Sequence, residues 1–262
     1  MPSRGAWKLE SRAWVSLVAA AVAAAASASA ADAHFERPVK FPSPAPDRSV
    51  SPPAGGKVPG HRGRGRVLVV CRPGSLQRAK RRGASRRQLR RDRRLHRRCR
   101  FRSIQAAVRR ARNGYRIFVL PGVYREQRSR RRATYDRRCA RYRVKAPEQS
   151  PGEQPQALSY TYQARCPNDQ NLIAVIGRRP RTGRCIRCNL QIEGTGRRPG
   201  DVVIDARARG GLQGKDVGLR GDRADGLGVR NLAIQGASEH GLYVLETDGF
   251  AVRDVVSRGN GL

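Results

Sequence analysis

Two stretches near the end of the chain share one pattern of apolar and polar positions. Residues 223–236 read RADGLGVRNLAIQG, and residues 246–259 read ETDGFAVRDVVSRG, 23 residues later. In each, Asp-Gly precedes a run that mixes apolar with charged or amide side chains, and glycine closes the run. Such short runs, broken by tight turns, predict β-strands with one face inward and one toward solvent. A repeat of this length predicts coils stacked in parallel, with Val229 beside Val252.

Fainter apolar runs upstream predict further strands of the same kind. A turn residue ends each of them, and they are NLIAVIG at 171–177, CNLQIEG at 188–194 and DVVIDA at 201–206. YRIFVL at 115–120 indicates an earlier buried strand.

A single helix is predicted before that strand. Four apolar residues share one helical face, namely Ile104, Ala107, Val108 and Ala111. Ser103 is suited to the N-cap, and Gly114 is expected to end the helix. A helix here would cap the open end of the stacked strands, whose unpaired edges otherwise invite aggregation.

The first part of the chain has the pattern of an exported protein. A basic start is followed by the apolar stretch WVSLVAAAVAAAA at 14–26 and then by small residues, which predicts a signal peptide over 1–30. The apolar stretch is shorter than the roughly 20 residues that span a bilayer, so we expect a secreted, extracellular protein with no membrane span after cleavage. Proline and glycine predict a linker over 31–66, which leaves 67–262 as one folded domain.

The formal net charge of +35 comes from the part of the chain before residue 201. Residues 201–262 hold 8 basic and 9 acidic side chains and are nearly neutral. The excess centres on arginine runs at 78–102 and 125–143, which predict solvated loops inserted between coils. The alternative is a patch for an acidic polymer, such as a uronate-rich polysaccharide or an anionic cell wall. Nucleic acid is the weaker hypothesis, because the first run has no aromatic residue for base stacking before Phe101.

Six cysteines in an exported chain predict disulfides, and six allow fifteen pairings. We expect Cys71–Cys99 and Cys139–Cys166, because each bridge would close a loop around an arginine-rich segment. The remaining pair, Cys185 and Cys188, spells CIRC. No second close Cys/His pair completes a zinc site, and the strand-like run after CIRC argues against a redox motif.

Two longer stretches resemble a known family. SIQAAVRRARNGYRIFVLPGVYRE at 103–126 resembles the opening of the pectin-lyase-like right-handed parallel β-helix superfamily. Residues 222–262 resemble the repeat region of secreted actinobacterial proteins in that group. The resemblance implies an all-β fold, a right-handed parallel β-helix (solenoid) with an N-terminal capping helix. Leu262 would begin an inward-facing stretch, and no capping element follows it in the sequence. We therefore expect a β-helix truncated at its C-terminus.

The resemblance implies association with polysaccharide and leaves catalysis open, because the family contains lyases, hydrolases, esterases and members without assigned chemistry. ETDGF at 246–250 is similar to the Asn-Thr-Asp-Gly motif of polygalacturonases, which makes Asp248 a catalytic candidate. Glycoside hydrolysis needs a second carboxyl group, and the motifs that carry it are missing. Asp225 occupies the same place one repeat earlier, which favours a turn aspartate instead.

Other candidates are weaker. GVYRE resembles an early motif of pectin methylesterases, with Tyr124 and Glu126, but its later partners are absent. Asp225 and Asp248, with Asp222 and Glu246 nearby, offer oxygen ligands for calcium, the one cofactor considered. His240, beside Glu239, is either an acid/base group or a turn residue.

The leading hypothesis is a secreted polysaccharide-associated protein, a lyase or hydrolase of acidic polysaccharide if it is an enzyme. The alternative is a non-catalytic protein that binds polysaccharide or a cell surface, and a general polyanion binder ranks last. Because no catalytic set is complete, we expect no cleavage of polygalacturonate.

Overall fold

The computed structural model describes residues 65–125, 137–142, 159–207 and 214–261. The predicted signal peptide at 1–30 lies outside the described residues, as do the linker up to residue 64, Glu126 and Leu262. Within the described ranges, every helix is too short or too polar to cross a bilayer.

The described residues contain ten strands in two sheets, and all the pairings between these strands are parallel. The first sheet contains β1 (Val67–Val70), β2 (Arg116–Val119), β3 (Gly122–Tyr124), β5 (Gln191–Gly194), β6 (Val202–Asp205), β8 (Gly228–Gln235) and β10 (Ala251–Arg258). The second contains β4 (Asn171–Ile176), β7 (Val217–Asp222) and β9 (His240–Leu245), in the order β4-β7-β9.

Strand β8 holds the seven-stranded sheet together. The strands follow the order β1-β2-β5-β8-β6-β3, and β10 also pairs with β8. The first half of β8 pairs with β5, where Val229 lies opposite Ile192, and its second half pairs with β6, where Ile234 lies opposite Ile204. These four side chains are buried in the main apolar core.

Five α-helices accompany the sheets in the described ranges: α1 (Ser75–Arg81), α2 (Arg86–Arg97), α3 (Ile104–Arg110), α4 (Tyr160–Arg165) and α5 (Pro167–Gln170). Short 3-10 helices cover Arg137–Tyr142 and Pro199–Asp201. Helix accounts for about 27% and strand for about 35% of the structure, so the fold is α/β-like, and the described sheets do not close into a solenoid. The predicted all-β right-handed parallel β-helix is therefore wrong.

The arginine-rich stretch 78–102 explains much of this correction, because most of it forms helices rather than a solvated loop. Arginine and leucine are good helix formers, and Ser85 caps α2 by accepting a hydrogen bond from the Gln88 N–H at 3.2 Å. Leu95 of α2 packs on a small apolar cluster that contains Cys71. The arginine-rich helix α2 thus also contributes an apolar side chain, Leu95, to the packing of the fold.

The strand pairing predicted from the 23-residue repeat is confirmed. The predicted inward valine is buried in the first copy of the repeat and exposed in the second. Strand β10 pairs with β8 in the register that places Val252 opposite Val229. Val229 is 1% exposed, whereas Val252 is 46% exposed. No described strand other than β8 pairs with β10, and Val252 and Val256 of β10 are exposed, whereas Val255 packs against the main core.

The predicted helix is confirmed as α3. Its N-cap is Ser103, whose hydroxyl accepts a hydrogen bond from the Ala106 N–H at 3.1 Å. The helix ends at Arg110, before the expected Gly114. Gln105 fixes α3 to β4, because its side-chain amide donates to the Ala174 carbonyl at 3.2 Å and accepts from the Ala174 N–H at 2.7 Å.

Asp92 of α2 is fully buried, and its carboxylate oxygens accept no hydrogen bond, although Arg91 Nε lies 3.9 Å from Asp92 Oδ1. Burial raises the pKa of Asp92, while Thr195 and Arg91 oppose that rise. A raised folded-state pKa means that ionised Asp92 destabilises the fold above that pKa, and that the penalty fades as pH falls toward the unfolded value near 4.

Asp92→Asn is therefore expected to increase the free energy of unfolding by about 1 kcal/mol at pH 7. Thermal melts at pH 7 and pH 4 measure this, and the gain should shrink at the lower pH. Asp254→Asn, at a side chain that is 60% exposed, is the control and should leave the melting temperature nearly unchanged. A gain that is the same at both pH values would contradict the assignment to ionised Asp92.

Candidate functional site

A short hairpin over residues 178–185 presents arginines to solvent. Arg178 and Cys185 form an antiparallel bridge at its base. The Arg179 N–H donates to the Arg184 carbonyl at 2.9 Å, and the Gly183 N–H donates to the Arg179 carbonyl at 2.9 Å. Arg179 and Arg181 are exposed, and neither side chain forms a hydrogen bond or ion pair with another described residue.

Gly177 allows this hairpin to sit tightly on the chain beneath it. Its N–H donates to the Asp222 carbonyl at 2.9 Å, and its carbonyl accepts from the Ile186 N–H at 2.7 Å. A side chain at Gly177 would overlap the Arg223 carbonyl oxygen and lie 2.6 Å from its carbonyl carbon. Glycine is needed here because of this close approach, and it fixes where the arginines project.

Arg178 anchors the hairpin to the buried carboxylate of Asp225. Its Nε and Nη2 lie 3.0 Å and 2.5 Å from Asp225 Oδ2, and Asp225 is 2% exposed. The backbone N–H of Arg178 donates to Tyr160 Oη at 2.9 Å. Burial raises the pKa of Tyr160 to about 12, so this phenol stays neutral at physiological pH.

Arg187 joins the hairpin to the end of α3. Its guanidinium donates to the Val108 carbonyl at 2.8 Å, the Ile176 carbonyl at 3.2 Å and the Arg109 carbonyl at 3.2 Å. Two of these acceptors belong to the last turn of α3, where a cation is favourable. Burial lowers the pKa of Arg187 from its ordinary value.

These elements enclose an open cleft of about 810 Å³ between the hairpin, α3, β4 and α4. Six arginines line it, namely Arg109, Arg165, Arg178, Arg179, Arg181 and Arg187. None of the described residues that line the cleft is acidic. Tyr142, Pro167 and Pro180 add apolar surface to the same cleft.

The arrangement suits an anionic ligand. Arg178 is neutralised by Asp225, whereas Arg109, Arg165, Arg179 and Arg181 are exposed and have no carboxylate partner among the described residues. A guanidinium binds carboxylate or phosphate through two parallel hydrogen bonds. Arg109 Nη2 donates to Asn168 Oδ1 at 2.6 Å, and Arg179 and Arg181 are the exposed guanidinium groups best placed to bind such an anion.

Three of the acidic residues singled out in the sequence form ion pairs with arginines. Asp248 is exposed, and its backbone N–H donates to Asp225 Oδ1 at 3.1 Å. Asp225 is already paired with Arg178, Asp222 with Arg220 at 2.9 Å, and Glu246 with Arg223 at 2.6 Å. Asp225 and Asp248 thus meet through a turn hydrogen bond, as the turn interpretation implies, and calcium binding there stays a prediction.

Tyr124 and His240 have structural surroundings. Tyr124 is fully buried and its hydroxyl donates to the Leu120 carbonyl at 2.8 Å. His240 is exposed and its ring stacks on Tyr243, with 5.1 Å between the ring centroids. Neither side chain faces the arginine cleft.

All six cysteines are disulfide-bonded. Cys71–Cys99 and Cys139–Cys166 are the two pairs predicted from the sequence, and Cys185–Cys188 forms the third. The sulfur atoms of Cys185 and Cys188 lie with an Asp225 carboxylate oxygen within 4.8 Å of one another. While the third disulfide is intact, neither sulfur can act as a thiolate ligand for a metal.

The cleft arginines were missed in the sequence because they come from three separate segments, around residues 109, 165 and 178–187. The run GRRPRTGRCIRC at 177–188 was a local signal, since proline and glycine between arginines indicate a turn that exposes them.

Comparison of the chain with protein-family models, curated proteins and solved structures gave no match. The resemblance to the pectin-lyase-like superfamily therefore stays a prediction.

Proposed function

We propose that this protein is a non-catalytic binder of an acidic polysaccharide, and that the arginine cleft holds uronate carboxylates. The single observation that carries the proposal is a cleft lined by six arginines and by no described acidic residue. Its volume of about 810 Å³ is that of a pocket for a short oligosaccharide rather than for one small ion.

Uronate chains match the cleft in two respects. Each sugar carries a carboxylate, which exposed Arg179 and Arg181 can bind in bidentate fashion. Sugar rings also present apolar C–H faces, and Tyr142 offers an aromatic surface in the same cleft. A polymer with spaced carboxylates uses several arginines at once, which raises its affinity above that of a single anion.

The arginines of α1 and α2 fit this role less well, because several of them hold the helices in place. Arg82 Nε pairs with Asp201 Oδ1 at 2.8 Å, and Arg91 donates to the Thr195 carbonyl at 2.9 Å. Arg78 donates to the Asp201 carbonyl at 3.1 Å. Their charge still adds a general attraction for polyanions.

The proposal includes export to the extracellular space, where uronate polymers occur. It is supported by the leader-like pattern of residues 1–30 and by three disulfides, which persist in oxidising compartments. Hydrolysis or lysis is not part of the proposal, because the Asp225 carboxylate beside Asp248 is already held by Arg178 and by the Asp248 N–H.

Calorimetric titration with oligogalacturonate tests the proposal, with a neutral glucan of similar length as the control ligand. The double variant Arg179→Gln/Arg181→Gln should weaken oligogalacturonate binding about 10-fold or more, because two charge-assisted contacts are lost. Binding should also weaken steeply as salt rises from 50 to 500 mM.

Arg90→Gln/Arg94→Gln on α2 is the matched control, since it removes the same charge from exposed positions outside the cleft. It should change the affinity by less than about 2-fold at 150 mM salt, because exposed charges more than about 8 Å apart are largely screened at that salt concentration. Equal losses in both double variants would reject the cleft, and measured turnover of the polymer would restore the enzyme hypothesis.

A further inference from the structure

The disulfide Cys185–Cys188 differs from the other two in its span. Its cysteines are 3 residues apart, whereas those of the other disulfides are 28 and 27 residues apart. A disulfide stabilises the fold chiefly by closing a loop in the unfolded chain, and a loop this short contributes little of that effect. Stability alone therefore gives a weak account of this bridge.

Its surroundings also differ. Cys71–Cys99 is packed in an apolar cluster with Val69 and Leu120, and Cys139–Cys166 is packed against buried Tyr162. Cys185–Cys188 belongs to none of the apolar clusters of the described residues. The Asn113 side chain holds the backbone of this loop, accepting from the Cys188 N–H at 3.0 Å and donating to the Cys185 carbonyl at 3.3 Å.

The two sulfur atoms have unequal environments. Cys188 is 2% exposed, and its Sγ lies 4.0 Å from Asp225 Oδ2. Cys185 is half-buried at the rim of the arginine hairpin, between Arg184 and Arg187 in the chain. After reduction, burial favours the protonated thiol at Cys188, and Cys185 is the sulfur that is more accessible from solvent.

We propose that Cys185–Cys188 is a thiol–disulfide exchange site whose substrates are dithiols. A thiolate of the dithiol attacks Cys185 Sγ, the Sγ–Sγ bond breaks, and its electron pair goes to Cys188 Sγ, which takes up a proton. The second thiol of the dithiol, once deprotonated, attacks the first sulfur of the dithiol, which is bonded to Cys185 Sγ in the mixed disulfide. This closes the oxidised dithiol and releases Cys185 as a thiolate. The dithiol is oxidised to a disulfide by two electrons, and the pair Cys185/Cys188 is reduced by two.

The test equilibrates the folded protein with reduced and oxidised dithiothreitol at pH 7, followed by acid quench, alkylation and peptide mapping by mass spectrometry. From loop length alone, the equilibrium constant for reducing Cys185–Cys188 should exceed that for Cys71–Cys99 by roughly 30-fold. The other two disulfides serve as internal controls within the same molecule. Brief treatment of the reduced protein with iodoacetamide should label Cys185 before Cys188.

Two results would overturn the proposal. One is reduction of all three disulfides together, which would show that dithiols reach Cys185–Cys188 only after unfolding. The other is preferential labelling of Cys188, which would invert the assigned roles. Cys185→Ala/Cys188→Ala should abolish the early two-electron consumption of dithiothreitol and leave the reduction of the other two disulfides unchanged.

Discussion

Replacing both Cys71 and Cys99 with alanine is expected to lower the free energy of unfolding by about 3–4 kcal/mol. The bridge closes a loop of 28 residues that contains α1 and α2. Without it, the unfolded chain gains the entropy of that open loop, and the helices carry a high density of like charge that repels itself. Both sulfur atoms also leave an apolar cluster with Val69 and Leu120. Urea unfolding of the variant and the parent protein measures the difference.

Cys185→Ala/Cys188→Ala is the matched control for this change, because it removes a disulfide of the same chemistry with a span of 3 residues. The entropy model gives it about 1.6 kcal/mol, less than half the effect of the longer loop. Similar losses in the two double variants would show that loop entropy does not govern these bridges.

Local sequence signals predicted the elements that depend on a few neighbouring residues. Ser103 and the apolar face of α3 gave that helix, and the run at 171–177 gave β4, because capping and burial act over one or two turns. The 23-residue repeat also gave the register between β8 and β10. Each of these predictions needed only the chemistry of a short window.

The fold class was wrong because it depended on the segments between those windows. A solvated loop was the natural interpretation of the arginine run, yet Leu95 and the cap at Ser85 turn much of it into a helix that packs on β1 and its neighbours. Whether sheets close into a solenoid depends on contacts among distant strands, and a repeat seen in only two copies does not determine that.

The candidate site was hidden for a related reason. Arg109, Arg165 and Arg181 are far apart in the sequence, and only the packing of α3, α4 and the hairpin brings them to one cleft. The count of arginines instead directed attention to 78–102, where Asp201 and the Thr195 carbonyl use several of the guanidinium groups. The sequence suggested Asp225 as a calcium ligand, whereas in the structure its carboxylate forms an ion pair with Arg178.

Val229→Ala is expected to lower the free energy of unfolding by about 2–3 kcal/mol, whereas Val252→Ala should lower it by less than about 1 kcal/mol. The two valines are equivalent in the repeat and lie opposite each other in register between β8 and β10. Val229 is 1% exposed in the main core, so its truncation leaves a cavity among buried neighbours such as Ile192. Val252 is 46% exposed, and water fills the space that its methyl groups leave. Because both variants make the same valine-to-alanine change within a strand, the difference in urea midpoints chiefly reports the difference in burial. Equal losses would mean that β10 has a covered face in solution.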